Sequence, residues 1–355
     1  MCQKDCPFGT FHRGEMTDEI WTIKRILEWI EGYLAKHGDA APRASAQWLV
    51  SEAIGISRMQ LFLDAERPLT AEERGVLRDW TRRRGAGEPL QYITGTVGFR
   101  HIVVNVRPGV LIPRPETEVL VSEALALLPV APKPQDEYEA TLARQFAERE
   151  EGEEANEDEG AGSAHNSDAD TANTRQLLIA DICTGSGCIA CSIAHEHPLT
   201  RVIATDIAPE AIALARENAR NLGLEDRITI IECNLGEGIE NTLMGSFDLV
   251  VSNPPYVPTN VLADIPREVA DFEPTLALDG GADGLDVFRR LLSWCRVALK
   301  PGGAFAFELH ETALGDAATL AGQTGFSEMR IVNDLAGKPR ILTACKTLTC
   351  SDKES

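Results

Sequence analysis

The sequence predicts an α/β protein: a doubly wound, mostly parallel sheet, preceded by a small all-helical domain and a β-hairpin linker. Three observations carry this. From Arg175 onward, apolar runs of strand length alternate with amphipathic helical stretches, the order that a parallel sheet with crossover helices requires. The last two runs, Ser327–Val332 and Arg340–Cys345, meet at Gly337 with no helix between them, so they form an antiparallel hairpin at the sheet edge. Ahead of Gly87 the apolar residues instead recur every three or four positions, the period of helices.

Taken in order, a helix begins at Thr17 and places Ile20, Ile23, Leu27, Ile30 and Leu34 on one face. Met16 is a candidate start; read from there, residues 1–15 are a disordered extension and Cys2 and Cys6 carry no function. Helices follow over Pro42–Ile54, with Trp48, Leu49 and Ala53, and after Ser57, with Met59, Leu61 and Phe62. The next runs over Ala71–Arg84, where Thr70-Ala-Glu-Glu73 has the form of a capping box. Residues 16–88 form the helical domain. Short β runs at Val97–Phe99 and Ile102–Val106, broken by Gly95, Gly98, Pro108 and Gly109, make 89–115 a hairpin linker.

The main domain spans 116–346, opens with a helix at Glu116–Leu128, and leaves a tail at 347–355. It is interrupted at 131–175, where 13 acids and 4 bases stand among few large apolar side chains. Such a segment cannot offset its ordering entropy and reads as a disordered insertion, with a helix near 137–150. Strands then fall at Leu177–Ile182, Arg201–Asp206, Arg227–Glu232, Phe247–Ser252 and Gly303–Leu309. Helices start at Gly187 and cover 209–222, 284–298 and 312–322.

Composition excludes several classes. Lys and Arg number 34 against 55 Asp and Glu, a net charge of −21 that lacks the basic footprint of a general nucleic-acid binder. No stretch approaches ~20 consecutive apolar residues, and the N-terminus has no apolar signal region. Nine cysteines, an odd number thinly spread, read as reduced thiols of a cytoplasmic protein.

Two constellations carry chemistry. Asp181-Ile-Cys-Thr-Gly185-Ser-Gly187 is a glycine-containing turn between a strand and a helix, and Asp206 ends the second strand. Glycines admit close approach of a ligand to the backbone, and a strand-end carboxylate can take both hydroxyls of a ribose, so an adenosine-containing cofactor is implied. Gly185-x-Gly187-x-x-Ala190 equally fits a dinucleotide, which keeps an NAD-linked dehydrogenase open. Cys183, Cys188 and Cys191 have a ferredoxin-like spacing, yet two of them fall in the first turns of a helix. His310-Glu-Thr-Ala-Leu314 lacks the second histidine of a zinc-protease helix, and no metal site is proposed.

The second is Asn253-Pro254-Pro255-Tyr256, a rigid polar turn directly after an apolar strand and aimed at the same crevice. Two prolines in succession fix φ and donate no backbone hydrogen bond, leaving the Pro254 carbonyl free to accept one, and the Asn253 side-chain oxygen is a second acceptor. Two fixed acceptors suit a planar NH2 group. Tyr256 offers an aromatic face beside them.

With Thr184-Gly-Ser-Gly187, this turn resembles the S-adenosylmethionine-dependent methyltransferases that modify planar nitrogens. Three further segments narrow the resemblance: Gly87-Glu-Pro-Leu-Gln-Tyr-Ile-Thr-Gly95, Pro108-Gly-Val-Leu-Ile-Pro-Arg-Pro-Glu-Thr-Glu118, and Asp271-Phe-Glu-Pro274 with Gly280-Gly-Ala-Asp-Gly-Leu285. They point to the peptide chain release factor N5-glutamine methyltransferases, a likeness that covers nearly the whole chain apart from 1–15 and 131–175. It implies a Rossmann-like class I methyltransferase sheet and methyl transfer from S-adenosyl-L-methionine to the Gly-Gly-Gln glutamine of class I release factors.

The resemblance places the donor on Cys183, Thr184, Gly185, Ser186 and Gly187, its ribose on Asp206, its adenine near Asn234 and Leu235, and its methyl beside Asn253. The substrate amide lies on Asn253, Pro254, Pro255 and Tyr256, with Asn253, Pro254 and Tyr256 as the catalytic set. The helical domain grips the protein substrate, and the enzyme is a monomer that binds neither nucleic acid nor membrane. The chain departs from the family at Cys183, where a glycine is usual, and at Asn234, where an acid is usual. Two other readings stand beside this one: methylation of a large-subunit ribosomal protein, and a silent cofactor-binding module.

Overall fold

The computed structural model describes residues 20–130 and 175–347. The N-terminal extension with Met16, Cys2 and Cys6, nearly all of the 131–175 insertion with its expected helix, and the tail past residue 347 lie outside the described residues. The chain forms two compact units. The first takes in residues up to Val97, Val106–Ile112 and Asp264–Pro274; the second takes in Gly98–Asn105, Pro113–Ala263 and the chain from Thr275 on. No described helix is long and apolar enough to cross a membrane.

In the first unit, α1 spans Ile23–Lys36 and buries Ile23, Ile26, Ile30 and Leu34 completely. It starts later than its periodicity suggested. The Thr22 hydroxyl caps it by accepting from the Arg25 N–H, and the chain just before is held extended, with Thr22 bridging Pro68 and the Trp21 carbonyl accepting from Leu69. Ile20 is therefore outside the helix and 68% exposed, and Ile26 fills the core in its place. Helices α2 (Pro42–Ile54), α3 (Arg58–Leu63) and α4 (Ala71–Gly85) follow, the last two opened by capping boxes of Ser57 with Gln60 and Thr70 with Glu73.

Two helices too short to announce themselves complete this unit, α5 (Leu90–Thr94) and α9 (Arg267–Phe272). They explain why three of the motif segments occur together. Tyr92, Val106 and Ile112 form one buried cluster against which Phe272 packs. The Tyr92 hydroxyl donates to the Val110 carbonyl at 2.7 Å, and the Ile112 N–H donates to Glu273 at 3.3 Å. Arg84 pairs with Asp39 at 2.6 Å and Glu268 at 3.1 Å.

Strands β1 (Thr96–Phe99) and β2 (Ile102–Asn105) form the hairpin, shared between the two units. The second unit continues with α6 (Pro115–Ala126), β3 (Leu177–Ile182), α7 (Cys188–Glu196), β4 (Thr200–Asp206), α8 (Pro209–Asn221), β5 (Ile228–Glu232) and β6 (Phe247–Ser252). Beyond α9 come α10 (Asp286–Ala298), β7 (Leu299–Glu308), α11 (Leu314–Gln323), β8 (Phe326–Asn333) and β9 (Pro339–Lys346).

Their order in the sheet is β5-β4-β3-β6-β7-β9-β8, parallel through β7 and antiparallel beyond it. The expected terminal hairpin is present. Its last strand, β9, inserts beside β7 and leaves β8 at the edge. The strand order reverses between β3 and β6, which opens a crevice at their carboxyl ends. The core beneath is aromatic, with Phe305 and Phe307 stacked at 4.6 Å and Phe288 edge-on to Phe307.

Candidate active site at the carboxyl edge of the sheet

Sheet register brings the candidate residues to one level. Ile182 pairs with Thr205 on one side and Ser252 on the other, Asp206 pairs with Glu232, and Ser252 pairs with Phe307. The residues that leave β3, end β4, leave β6 and end β7 are therefore Cys183, Asp206, Asn253 and Glu308, side by side at the switch point.

The loop after β3 turns sharply because Cys183 (φ 62°), Gly185 (φ 55°) and Gly187 (φ 78°) all adopt left-handed backbone. Cys183 keeps the conformation that a glycine would hold freely, at a cost of about 1–2 kcal/mol for an L-residue. At Gly187 an added Cβ would lie 3.1 Å from the Cβ of Ala215 on α8, so only glycine lets α7 pack this closely. The Gly185 N–H donates to Asp206 at 2.9 Å, and Asn218 of α8 donates to the Ser186 carbonyl at 2.8 Å. Asn218 also exchanges hydrogen bonds with the backbone of Asn105, which ties the loop to β2. Burial pushes the thiols of Cys183 and Cys188 up, and that of Cys191 to about 12.

Asp181 is fully buried beneath this loop. One carboxylate oxygen accepts from the Thr184 hydroxyl at 2.6 Å and the Ala190 N–H at 3.1 Å; the other, like the Ser186 hydroxyl, is buried without a hydrogen-bond partner. Burial pushes its carboxyl up to about 7. The unfolded chain gives up this proton near 3.8, so between roughly pH 4 and pH 7 the folded chain binds the extra proton and stability falls as pH rises. Asp181→Asn should flatten the decline in melting temperature across that window. An unchanged slope would exclude Asp181 as its source.

Asp206 is partly exposed, and its carboxylate also accepts from the Ala208 N–H at 3.0 Å; burial raises its pKa against these bonds. Ile207, which no motif in the sequence marks, follows it as an apolar side chain 52% exposed at the strand end. The next loop is held at the same edge, because the Cys233 N–H donates to the Asp206 carbonyl at 2.9 Å. There the Asn234 amide nitrogen donates to Glu237 at 3.0 Å and Leu235 takes a left-handed φ of 53°.

Asn253 leaves β6 immediately after Ser252, whose hydroxyl donates to the Ile182 carbonyl at 2.5 Å and locks β6 to β3. The Asn253 Nδ2 donates to the Thr117 hydroxyl at 3.1 Å, that hydroxyl donates to Glu308 Oε2 at 2.7 Å, and the Tyr256 hydroxyl donates to Glu308 Oε1 at 2.9 Å. Thr117 and Glu308 are 2% and 1% exposed. Burial raises the Glu308 pKa, opposed by the two hydroxyl donors and by Arg340, whose guanidinium carbon lies 6.0 Å from the Tyr256 ring centroid. Pro254 is buried, while Pro255 is partly exposed. Behind the turn, an added Cβ on Gly280 would lie 2.6 Å from the Tyr256 Cα and one on Gly284 2.4 Å from the Tyr256 carbonyl oxygen, which accounts for these two glycines.

Thus one edge gathers the glycine loop, Asp206, Asn234 with Leu235, and the Asn253–Tyr256 turn. The site also holds Thr117 and Glu308, to which the sequence pattern assigns no role. Thr117 lay unassigned inside the Pro113-Arg-Pro-Glu-Thr117 run, and the signal for Glu308 was a carboxylate closing the apolar strand Ala304–Phe307.

A family model described as the PrmC N-terminal domain matches residues 25–95, and one described as the methyltransferase small domain matches residues 168–266. A release factor glutamine methyltransferase from Geobacter sulfurreducens is 36% identical over 327 residues, covering 91% of this chain and 96% of that one. Its counterpart from Rhodopirellula baltica is 34% identical over 330 residues, covering 93% and 98%. Among solved structures, a methyltransferase from Pyrococcus furiosus aligns at 22% identity and a TM-score of 0.38, over 50% of this chain and 79% of that one.

Proposed function

This chain belongs to the release factor glutamine methyltransferases, and from that membership we propose that it methylates the side-chain nitrogen of the Gly-Gly-Gln glutamine in class I peptide chain release factors. S-adenosyl-L-methionine is the methyl donor. The observation that carries the reading is the pairing of Ile182 with Ser252, which sets the glycine loop and the Asn253–Tyr256 turn on adjacent strands at the switch point.

The residues at the edge suit this donor. Asp206 presents a carboxylate for the ribose hydroxyls, Ile207 and Leu235 present apolar surface for the adenine, and Asn234 has an amide oxygen to accept from the adenine amino group. Cys183–Gly187 would run along the methionine portion. The bound donor supplies an electrophilic methyl on a sulfonium. An amide nitrogen is a poor nucleophile because its lone pair is delocalised into the carbonyl. Asn253 Oδ1 and the Pro254 carbonyl, each accepting one N–H of the substrate amide, aim the nitrogen and favour the positive charge that develops on it. The nitrogen then releases one proton to solvent, and no base is needed beforehand. Tyr256 covers the amide plane. The helical unit would grip the release factor, and the enzyme would act in the cytoplasm, where translation terminates.

Incubation with labelled S-adenosylmethionine and a purified class I release factor tests this directly. Label should enter the factor and disappear when its Gly-Gly-Gln glutamine is replaced. Labelling of a large-subunit ribosomal protein instead, or no transfer at all, would refute the assignment.

A further inference from the structure

We propose that Thr117 and Glu308 are positioning residues that fix which end of the Asn253 amide faces the substrate. The inference rests on the reading of Asn253 as an acceptor for the glutamine NH2 and explains how it is held in that role. A carboxamide has two ends of nearly equal shape, and only its oxygen can accept. An Asn253 with its carboxamide turned end for end would present an NH2 to an NH2 and bind nothing.

The hydrogen-bond chain removes that ambiguity. Glu308 accepts from two hydroxyls, Tyr256 at one oxygen and Thr117 at the other. A hydroxyl has one proton, and that of Thr117 is committed to Glu308, so toward Asn253 it can only accept. It therefore faces Nδ2, at 3.1 Å, and Oδ1 is turned outward. Burial makes the arrangement firm, since an inverted member would leave a buried polar atom without its partner. The residues come from three elements, α6, the turn after β6, and the end of β7, and they meet only because Ser252 and Phe307 are in register.

Replacing the carboxylate by its isostere should invert the chain. In Glu308→Gln, Tyr256 keeps its acceptor if the new amide turns its oxygen toward Tyr256 and its NH2 toward Thr117. Thr117 then accepts from that NH2, donates its own proton to Asn253, and draws Oδ1 inward. A carboxylate at position 253 has no wrong end. Asn253→Asp in the Glu308→Gln background takes the Thr117 proton on one oxygen and offers the other to the substrate. With Glu308 intact, the same Asn253→Asp change sets a carboxylate against a hydroxyl that has no proton to give.

The expected result is a reciprocal rescue. Glu308→Gln and Thr117→Val should each lower kcat for release factor methylation by roughly 10- to 100-fold. Affinity for S-adenosylmethionine, measured by calorimetry, should stay within a few-fold of native. The double variant Glu308→Gln with Asn253→Asp should turn over faster than either single one, an outcome a purely structural role would not produce. Glu308→Gln keeps side-chain shape, so it carries the test if Thr117→Val fails to fold.

Asn253→Ala, assayed in parallel, separates the two readings. If it is slow while Glu308→Gln and Thr117→Val run at the native rate, or if the double variant is slower than both singles, the positioning role is overturned and the acceptor role stands. If Asn253→Ala itself runs at the native rate, the acceptor role fails.

Discussion

Asn253→Ala should lower kcat for glutamine methylation by roughly 10²–10³, the scale of deleting one preorganised hydrogen bond to a developing charge. The magnitude follows from where the interaction acts. In the ground state the substrate N–H groups exchange water for the two acceptors at little net gain. As the nitrogen becomes cationic, each acceptor strengthens, and Asn253 is held ready by Thr117 and pays no reorganisation at that moment. The loss should appear in kcat more than in cofactor affinity, because the glycine loop and Asp206 are anchored to each other and not to Asn253. Turnover at the native rate on a purified release factor would show that the amide binds elsewhere.

Asp206→Ala should weaken S-adenosylmethionine binding by about 1.5–3 kcal/mol, more than tenfold, as expected for a lost pair of charge-assisted hydrogen bonds. The change also strips the Gly185 and Ala208 N–H groups of their acceptor, so the loop proposed to cradle the donor loosens with it. Asp206→Asn keeps the shape and one acceptor oxygen and should fall between the alanine variant and the native chain. Titration calorimetry on folded protein decides: unchanged affinity in Asp206→Ala would move the ribose to another residue. The same titration with NAD should give no heat, and tight binding would revive the dinucleotide reading left open by Gly185-x-Gly187-x-x-Ala190.

Much of this architecture was legible in the chain before any coordinates. The capping box at Thr70 closes within four residues and is present, and the short helix after Ser57 is present too, opened by a second box that the structure adds. Strands β3, β4 and β6 are mostly apolar runs, broken only by Asp181, by Thr200, Arg201 and Thr205, and by Asp248, that end in a turn or an acid, and such runs are buried on both faces of a parallel sheet. The start of α1 was misjudged because periodicity extends through Ile20, while a cap at Thr22 and extended pairing with Pro68 stop the helix short. Helices α5 and α9, with five and six residues, are shorter than two turns and, unlike the equally short α3 after Ser57, open on a proline with no side-chain cap, so neither a period nor a cap marks them.

By itself, the sequence determined the strand-helix alternation, the glycine loop, the acid at Asp206, and the Asn253–Tyr256 turn, because each is a periodic pattern, a short contiguous run or a strand end marked by its own side chain. Only the tertiary structure decided that β9 inserts beside β7, that Asp264–Pro274 packs in the helical unit with Tyr92 and Ile112, and that Thr117, 191 positions from Glu308, bridges it to Asn253. The reason is physical. Such pairings depend on strand register and on burial that leaves a polar group one remaining partner, and neither leaves a local trace in residues so far apart.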